Sequence, residues 1–252
     1  MRSQTPPSRH IAHGMLTTTE INCMNNKTLE IIGAWSGLAY VLTFGLGWVM
    51  LAHWLPPISP TASAAEVAAL YQERRIPLML ASIAMMVSVL PLLPFTATLL
   101  LVIQKIETRI GVLTLTLAFS SILGMVLSFY TPFSFAVAAF RPERSPELIQ
   151  LMSDFGLMQF MGGIPMFIMG WVVTAYAALV ASPRENPILP RWFGYLNLWI
   201  AILYIPELLI FLFKTGPFAW DGVIGFWIPA ILFTVYWWVT PFVLVRAVKR
   251  HL

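Results

Sequence analysis

Charge is what this chain has least of. Only 10% of its 252 residues are Asp, Glu, Lys or Arg, against roughly a quarter in an ordinary soluble domain. So few charges cannot cover a water-facing surface. That excludes a soluble enzyme, a nucleic-acid binder, a coiled coil and a disordered chain. Cysteine is nearly absent as well. Cys23 stands alone, so no intrachain disulfide and no thiolate metal cluster can form. The residues before it, Glu20-Ile21-Asn22, are not the apolar run that a lipoprotein cysteine follows. Histidine is equally scarce. Three of the four (His10, His13 and His251) lie in the tails, which leaves His53. The ligand sets of histidine-box oxygenases, desaturases and bis-histidine haem proteins are therefore missing. No metal site and no cofactor is expected.

Hydrophobic residues are abundant, at 58% with a mean hydropathy of +0.78. A bilayer core takes about 20 apolar residues per helical crossing. Six such stretches fit, at about 33–55, 76–103, 110–130, 157–181, 191–213 and 220–245. The expected fold is all-α: a six-helix transmembrane bundle over 31–252, behind a polar tail at 1–30. The tail has no apolar core of signal-peptide length. Met15 and Met24 are both candidate starts, and Arg2, Arg9 and the Ser/Thr content allow a presequence reading.

Local signals place the connections. Pro56-Pro57-Ile58-Ser59-Pro60 reads as a stiff linker, because proline fixes φ and removes a donor. Ser63-Ala64-Ala65-Glu66 spells a capping box. It opens a short helix to Arg75, with Val67, Leu70 and Tyr71 on one face, expected to lie on the outer membrane surface. Pro91 and Pro94 should kink the second crossing. Thr131-Pro132 should end the third, or bend it into 133–140. Ser145-Pro146 is a helix start. Gly162, Gly163 and Pro165 thin the fourth crossing, and Gly33-x-x-x-Gly37 predicts close helix contact in the first. Pro91, Pro94, Gly162, Gly163, Pro165 and Pro206 are expected to splay the outer half of the bundle and open a cavity outward or to lipid. Met161 and Met166 are either core fillers or part of an adaptable apolar pocket.

The net charge of +4 and pI of about 9.4 reflect topology rather than nucleic-acid binding. With the N-terminus inside, the inner segments hold Arg2, Arg9, Lys27, Lys105, Arg109, Arg184, Arg191, Arg246, Lys249 and Arg250, which is ten. The outer segments hold Arg74, Arg75, Arg141, Arg144 and Lys214, which is five. The Lys/Arg bias puts both termini in the cytoplasm. The two halves show no inverted repeat, which weighs against a secondary transporter.

Glu207 is the sharpest chemical signal. It sits in the fifth crossing, where a carboxylate costs about 3 kcal/mol on insertion scales. It is a proton carrier, an acid or base, or a ligand anchor; alternatively it is a structural hydrogen-bonding group near the interface. Lys214 follows by seven residues, on roughly the same face of an ideal helix. Asp221 opens the sixth crossing, either as a third member of that group or as a helix N-terminal charge. His53 is a possible proton-moving partner, or simply solvated. Arg74 and Arg75 either hold an anionic headgroup or substrate, or snorkel to lipid phosphates.

Trp192-Phe193-Gly194-Tyr195, Pro206-Glu207 and Lys214-Thr215-Gly216-Pro217-Phe218-Ala219-Trp220, together with the 63–71 segment, resemble small bacterial six-helix membrane proteins without assigned chemistry. The resemblance covers about 30–250. It implies a bacterial inner-membrane location and no reaction. Three functions follow. The first is a membrane protein that binds a hydrophobic small molecule or a membrane-protein partner. The second is an intramembrane isomerase or cyclase with Glu207 and Asp221 as acid and base. The third is a small proton-coupled transporter with Glu207 as the coupling site. The lipid bilayer is the expected surrounding in all three, and nucleic acid a partner in none.

Overall fold

The structure is a computed structural model that describes residues 18–252, with side chains from Asn26 onward. The readings at Arg2, Arg9, His10, His13 and Met15 lie outside the described residues, as does the side chain of Cys23. Every regular element among the described residues is helical. Nine α-helices follow one another: α1 Thr18–Gly45, α2 Ala64–Glu73, α3 Arg75–Val87, α4 Val89–Glu107, α5 Val112–Phe140, α6 Pro146–Gly162, α7 Ile168–Tyr176, α8 Arg191–Tyr204 and α9 Ile228–His251. Helix α1 begins upstream of the predicted first crossing, inside the stretch read as a polar tail.

Among the described residues five helical runs are long and apolar enough to cross a membrane: Asn26–Leu51, Arg75–Glu107, Val112–Phe140, Arg191–Phe211 and Val223–His251. In the most apolar windows of these runs between 22% and 44% of residues are buried inside the molecule. Most of the remainder are large apolar side chains facing outward, such as Phe119, Ile122, Leu123, Val126 and Phe133 on α5. Water does not tolerate such a surface, and hydrocarbon does. Ile168–Ala181 is a shorter apolar helix.

The helix breaks follow from proline and glycine chemistry. A proline within a helix clashes with the carbonyl four residues earlier and donates no hydrogen bond. Pro91 accordingly interrupts the second run at Ser88, just after Val87, and the Ser88 hydroxyl donates to the Met85 carbonyl at 2.6 Å. Pro206 tightens the end of the fifth run into a 3-10 segment, Ile205–Phe211. Upstream of Pro229 the ladder loosens into a π turn, Val223–Trp227. Pro132 does not end or break its helix: α5 continues through it to Phe140.

Two ends of the bundle are distinguishable. At one, Lys27 Nζ donates to the Lys249 carbonyl at 3.1 Å, and Ile106, Leu189 and Val248 share one apolar cluster. At the other, the 52–75, 140–154 and 214–222 segments are laced together. Gln72 Nε2 donates to the Pro142 carbonyl (2.9 Å), Gln150 Nε2 to that of Ala62 (3.0 Å) and Trp220 Nε1 to that of Ile58 (2.8 Å). The Ser63–Glu66 capping box forms as its spacing predicts, and α2 buries Val67, Ala68 and Tyr71. Burial raises the Tyr71 hydroxyl above its usual pKa, against the hydrogen bond it makes to Ser153.

Towards the termini, packing is close. A Cβ on Gly33 would fall 2.7 Å from the Pro94 carbonyl oxygen, and one on Gly37 would meet the Phe95 ring at 2.6 Å and Pro241 at 3.2 Å. Small residues let α1 approach the backbone of α4 and the Pro241 ring of α9, where dispersion drives packing in lipid. Thr98 Oγ1, within reach of both the Glu30 and Pro94 carbonyls, bridges the two helices.

Candidate functional site

The middle of the bundle holds a cavity of about 260 Å³. Irregular backbone surrounds it. The π turn Leu46–Leu51 at the end of α1 contributes Trp48. The break between α6 and α7, with its 3-10 turn Ile164–Met166, contributes Ile164 and Phe167. The 3-10 segment after α8 contributes Glu207, and the π turn before α9 contributes Phe226. Departures from α-helical geometry of this kind are frequent at functional sites.

The α6–α7 break shows how such geometry is held. Gly162 and Gly163 end α6, and Pro165 has no N–H to continue it. In hydrocarbon the freed backbone groups need partners. Ser120 on α5 supplies two. Its hydroxyl donates to the Met166 carbonyl at 3.3 Å and accepts from the Gly170 N–H at 3.0 Å. It therefore acts as a helix cap supplied from a neighbouring helix, and it also lines the cavity.

Of the 33 lining residues 12 are aromatic, against 13% of the whole chain, so the wall is built of rings. Trp171 sits 4.8 Å from Tyr204 and 5.9 Å from Tyr236 between ring centroids, and Tyr40 sits 4.4 Å from Trp237. Tyr236 touches Trp237 at 5.3 Å, which joins the two groups. The Tyr204 hydroxyl donates to the Pro229 carbonyl at 2.9 Å.

Glu207 is the only carboxylate in this wall, which contains no lysine, arginine or histidine. It is 3% exposed, and its Oε2 has no hydrogen-bond partner. Residues three apart eclipse on a 3-10 helix, so Glu207 follows Tyr204 on one face, and the two lie within electrostatic range of each other. Glu107 shows what a structural carboxylate looks like in this chain. It closes the α4–α5 turn by accepting from the Gly111, Leu113 and Thr114 N–H groups at 3.1–3.2 Å and from the Thr114 hydroxyl at 2.9 Å. Glu207 has no comparable set of donors.

The other sequence candidates stand elsewhere. The fifth run ends at Phe211, so Lys214 lies beyond the helix and is exposed; its sharing a face with Glu207 required an α-helix through 214. Lys214 acts electrostatically on Asp154 instead. Asp221 is half-buried in the following turn, outside the cavity wall. His53 is exposed and ends the first run with φ at +58°, while the Trp54 N–H closes back on the Trp48 carbonyl at 3.0 Å. That is the left-handed closure typical of a helix end.

Arg74 and Arg75 cap other helices. Arg74 donates to the Ala52 and Leu51 carbonyls, both at 2.9 Å, and Arg75 to those of Ala139 (3.2 Å) and Phe140 (3.0 Å). These are carbonyls that a helix end leaves unpaired. His53 and Arg74 border a separate surface groove near α2. Among the described residues no three His, Cys, Asp or Glu side chains are grouped to hold a metal ion.

Sequence reasoning missed the aromatic wall and Ser120. Two signals were present. Tyr40, Tyr204 and Tyr236 place polar handles deep inside apolar runs. Ser120, Gly124 and Ser128, four residues apart, draw a small polar stripe along α5 that faces the cavity.

The helices and their outward apolar faces define a multi-pass integral membrane protein. No family model, curated protein or solved structure matches the chain.

Proposed function

We propose that this protein crosses a bacterial inner membrane six times, keeps both termini in the cytoplasm, and binds an apolar small molecule in its central cavity. The observation that carries the reading is the aromatic-lined cavity of about 260 Å³ with Glu207 in its wall. Pockets between bundle helices, apolar and with few polar groups, are common ligand sites.

Helices α6 and α7 supply the sixth crossing together. Gln150 is tied to Ala62 at the end where the 52–75 segment lies, whereas Ala177 and Ala178 join the apolar cluster at the termini end. A discontinuous crossing is tolerated in a membrane where its break lines a cavity. Positive charge supports the orientation. In the described residues the termini end carries Lys27, Lys105, Arg109, Arg184, Arg191, Arg246, Lys249 and Arg250, and the other end Arg74, Arg75, Arg141, Arg144 and Lys214, eight against five. The bacterial setting rests on the sequence resemblance. Helix α2 then lies at the outer surface. With Asp221 and His53 outside the cavity wall, Glu207 lacks the acid–base partner that an isomerase or cyclase requires.

Native mass spectrometry of protein extracted gently from its own membrane tests the reading. A small molecule bound one to one in the wild type, and lost when Ser128→Phe fills the cavity, is the expected result. A protein retained in place of any small molecule, by both forms alike, would replace the ligand-binding reading with that of an accessory subunit.

A further inference from the structure

We infer that the cavity takes a lipophilic amine, whose protonated nitrogen pairs with the Glu207 carboxylate while its hydrocarbon part packs among the rings. This rests on the ligand-binding reading above and names the ligand's chemistry.

Glu207 is 97% withdrawn from solvent, being 3% exposed, and its Oε2 faces no donor from the protein. A buried acceptor without a partner is costly, and a buried charge more so. The usual remedy is a nearby Lys, Arg or His, and the wall has none. A ligand that carries both a donor and a positive charge would supply that missing partner and hold the carboxyl ionised. An ammonium group supplies both, as a charge-assisted hydrogen bond.

The rest of the wall points to the same sign of charge. Aromatic rings attract cations through their quadrupoles, and desolvation strengthens that attraction. Trp171, Tyr204, Tyr236 and Phe167 form one connected ring cluster next to Glu207, with centroid separations from 4.8 to 6.5 Å. An anionic ligand would meet both a carboxylate and this ring wall. A pure hydrocarbon would leave Oε2 unpaired. A ligand with a cationic head and an apolar body satisfies the carboxylate and the rings together.

The test is a matched pair of probes titrated onto the purified protein in nanodiscs, with partition into empty nanodiscs subtracted. One is protonated N,N-dimethyl(naphthylmethyl)amine. The other is isobutylnaphthalene, which has the same shape with carbon in place of nitrogen. Binding is read by titration calorimetry and by the fluorescence of Trp48, Trp171 and Trp237 in the wall. The amine is expected to bind about tenfold tighter or more. In Glu207→Gln the preference should vanish, with the hydrocarbon binding as before.

Equal binding of both probes by the wild type overturns the amine assignment and leaves the apolar cavity standing. A preference that survives in Glu207→Gln also overturns it. Failure of both probes to bind the wild type removes the cavity reading itself. If Glu207→Gln does not fold, the wild-type comparison decides, with Glu207→Asp, which keeps the carboxyl, expected to retain the preference.

Discussion

The two halves of this bundle are built on opposite principles. Towards the termini, α1 packs at Gly33 against the Pro94 carbonyl of α4 and at Gly37 against the Phe95 ring of α4 and the Pro241 ring of α9. Glu107, which closes the α4–α5 turn at that end, is surrounded by donors. Towards the 52–75 and 214–222 segments the first, fifth and sixth runs turn into π and 3-10 geometry around an aromatic-walled space, and Glu207 in that wall is left without a partner at Oε2. One half is packed for stability, and the other sets stability aside around a space. Unpaired polar atoms and irregular backbone persist where the rest of the molecule holds them in place, and the close-packed half supplies that support.

The sharpest way to break the contrast is to put the same substitution in each half. Gly33→Leu drives a side chain into the Pro94 carbonyl and Thr98, and is expected to cost about 3 kcal/mol or more. Gly45→Leu adds its Cβ where nothing lies within 4 Å, and is expected to change stability by less than about 1 kcal/mol. Thermal unfolding of both variants in detergent checks the pair; equal losses would erase the distinction.

Ser120→Ala comes next. It leaves the Met166 carbonyl unpaired inside the bundle, while the Gly170 N–H keeps only its bond to the Phe167 carbonyl, at a cost of about 1–3 kcal/mol. Hydrogen exchange should show the loss concentrated at the start of α7, with α1 and α4 unaffected.

The smallest effect belongs to the α2 capping box. Hydrogen bonds from Ser63 hold the Glu66 carboxyl below its ordinary pKa of 4.5. A pKa depressed in the folded state contributes stability that is present above 4.5 and lost as pH falls through the lowered value. The exchange protection that wild type shows over Glu66→Gln at the start of α2 should therefore narrow only below that pH. A difference that persists in strong acid would mean the carboxylate is not its source.

Features set by neighbouring residues were legible in the sequence. The Ser63–Glu66 box, the Ser145-Pro146 helix start, five of the six apolar runs and the Gly33–Gly37 contact form, because each depends on a few consecutive side chains; the fourth run, expected as one crossing over 157–181, is instead broken between α6 and α7. Glu207 was legible because a carboxylate within an apolar run is conspicuous. What surrounds it was not. The wall is drawn from α1, α4, α5, α6, α7, α8 and α9, and no local pattern states which faces converge. Lys214 shows a second limit. A heptad spacing places residues on one face only while the helix lasts, and Pro206 has already changed the local period to three. The roles of Arg74 and Arg75 depended on where α5 and the first run end in space, which sequence spacing does not encode.

The Ser120 hydroxyl has a mechanical consequence. It holds both lips of the α6–α7 break with one oxygen, donating to one and accepting from the other. A slide of α7 along α5 by even one residue would break both bonds at once and strand the Met166 carbonyl in hydrocarbon, the Gly170 N–H keeping its bond to the Phe167 carbonyl. The break is thus a pivot with a fixed register: α6 and α7 can tilt about it, but neither can ratchet past α5.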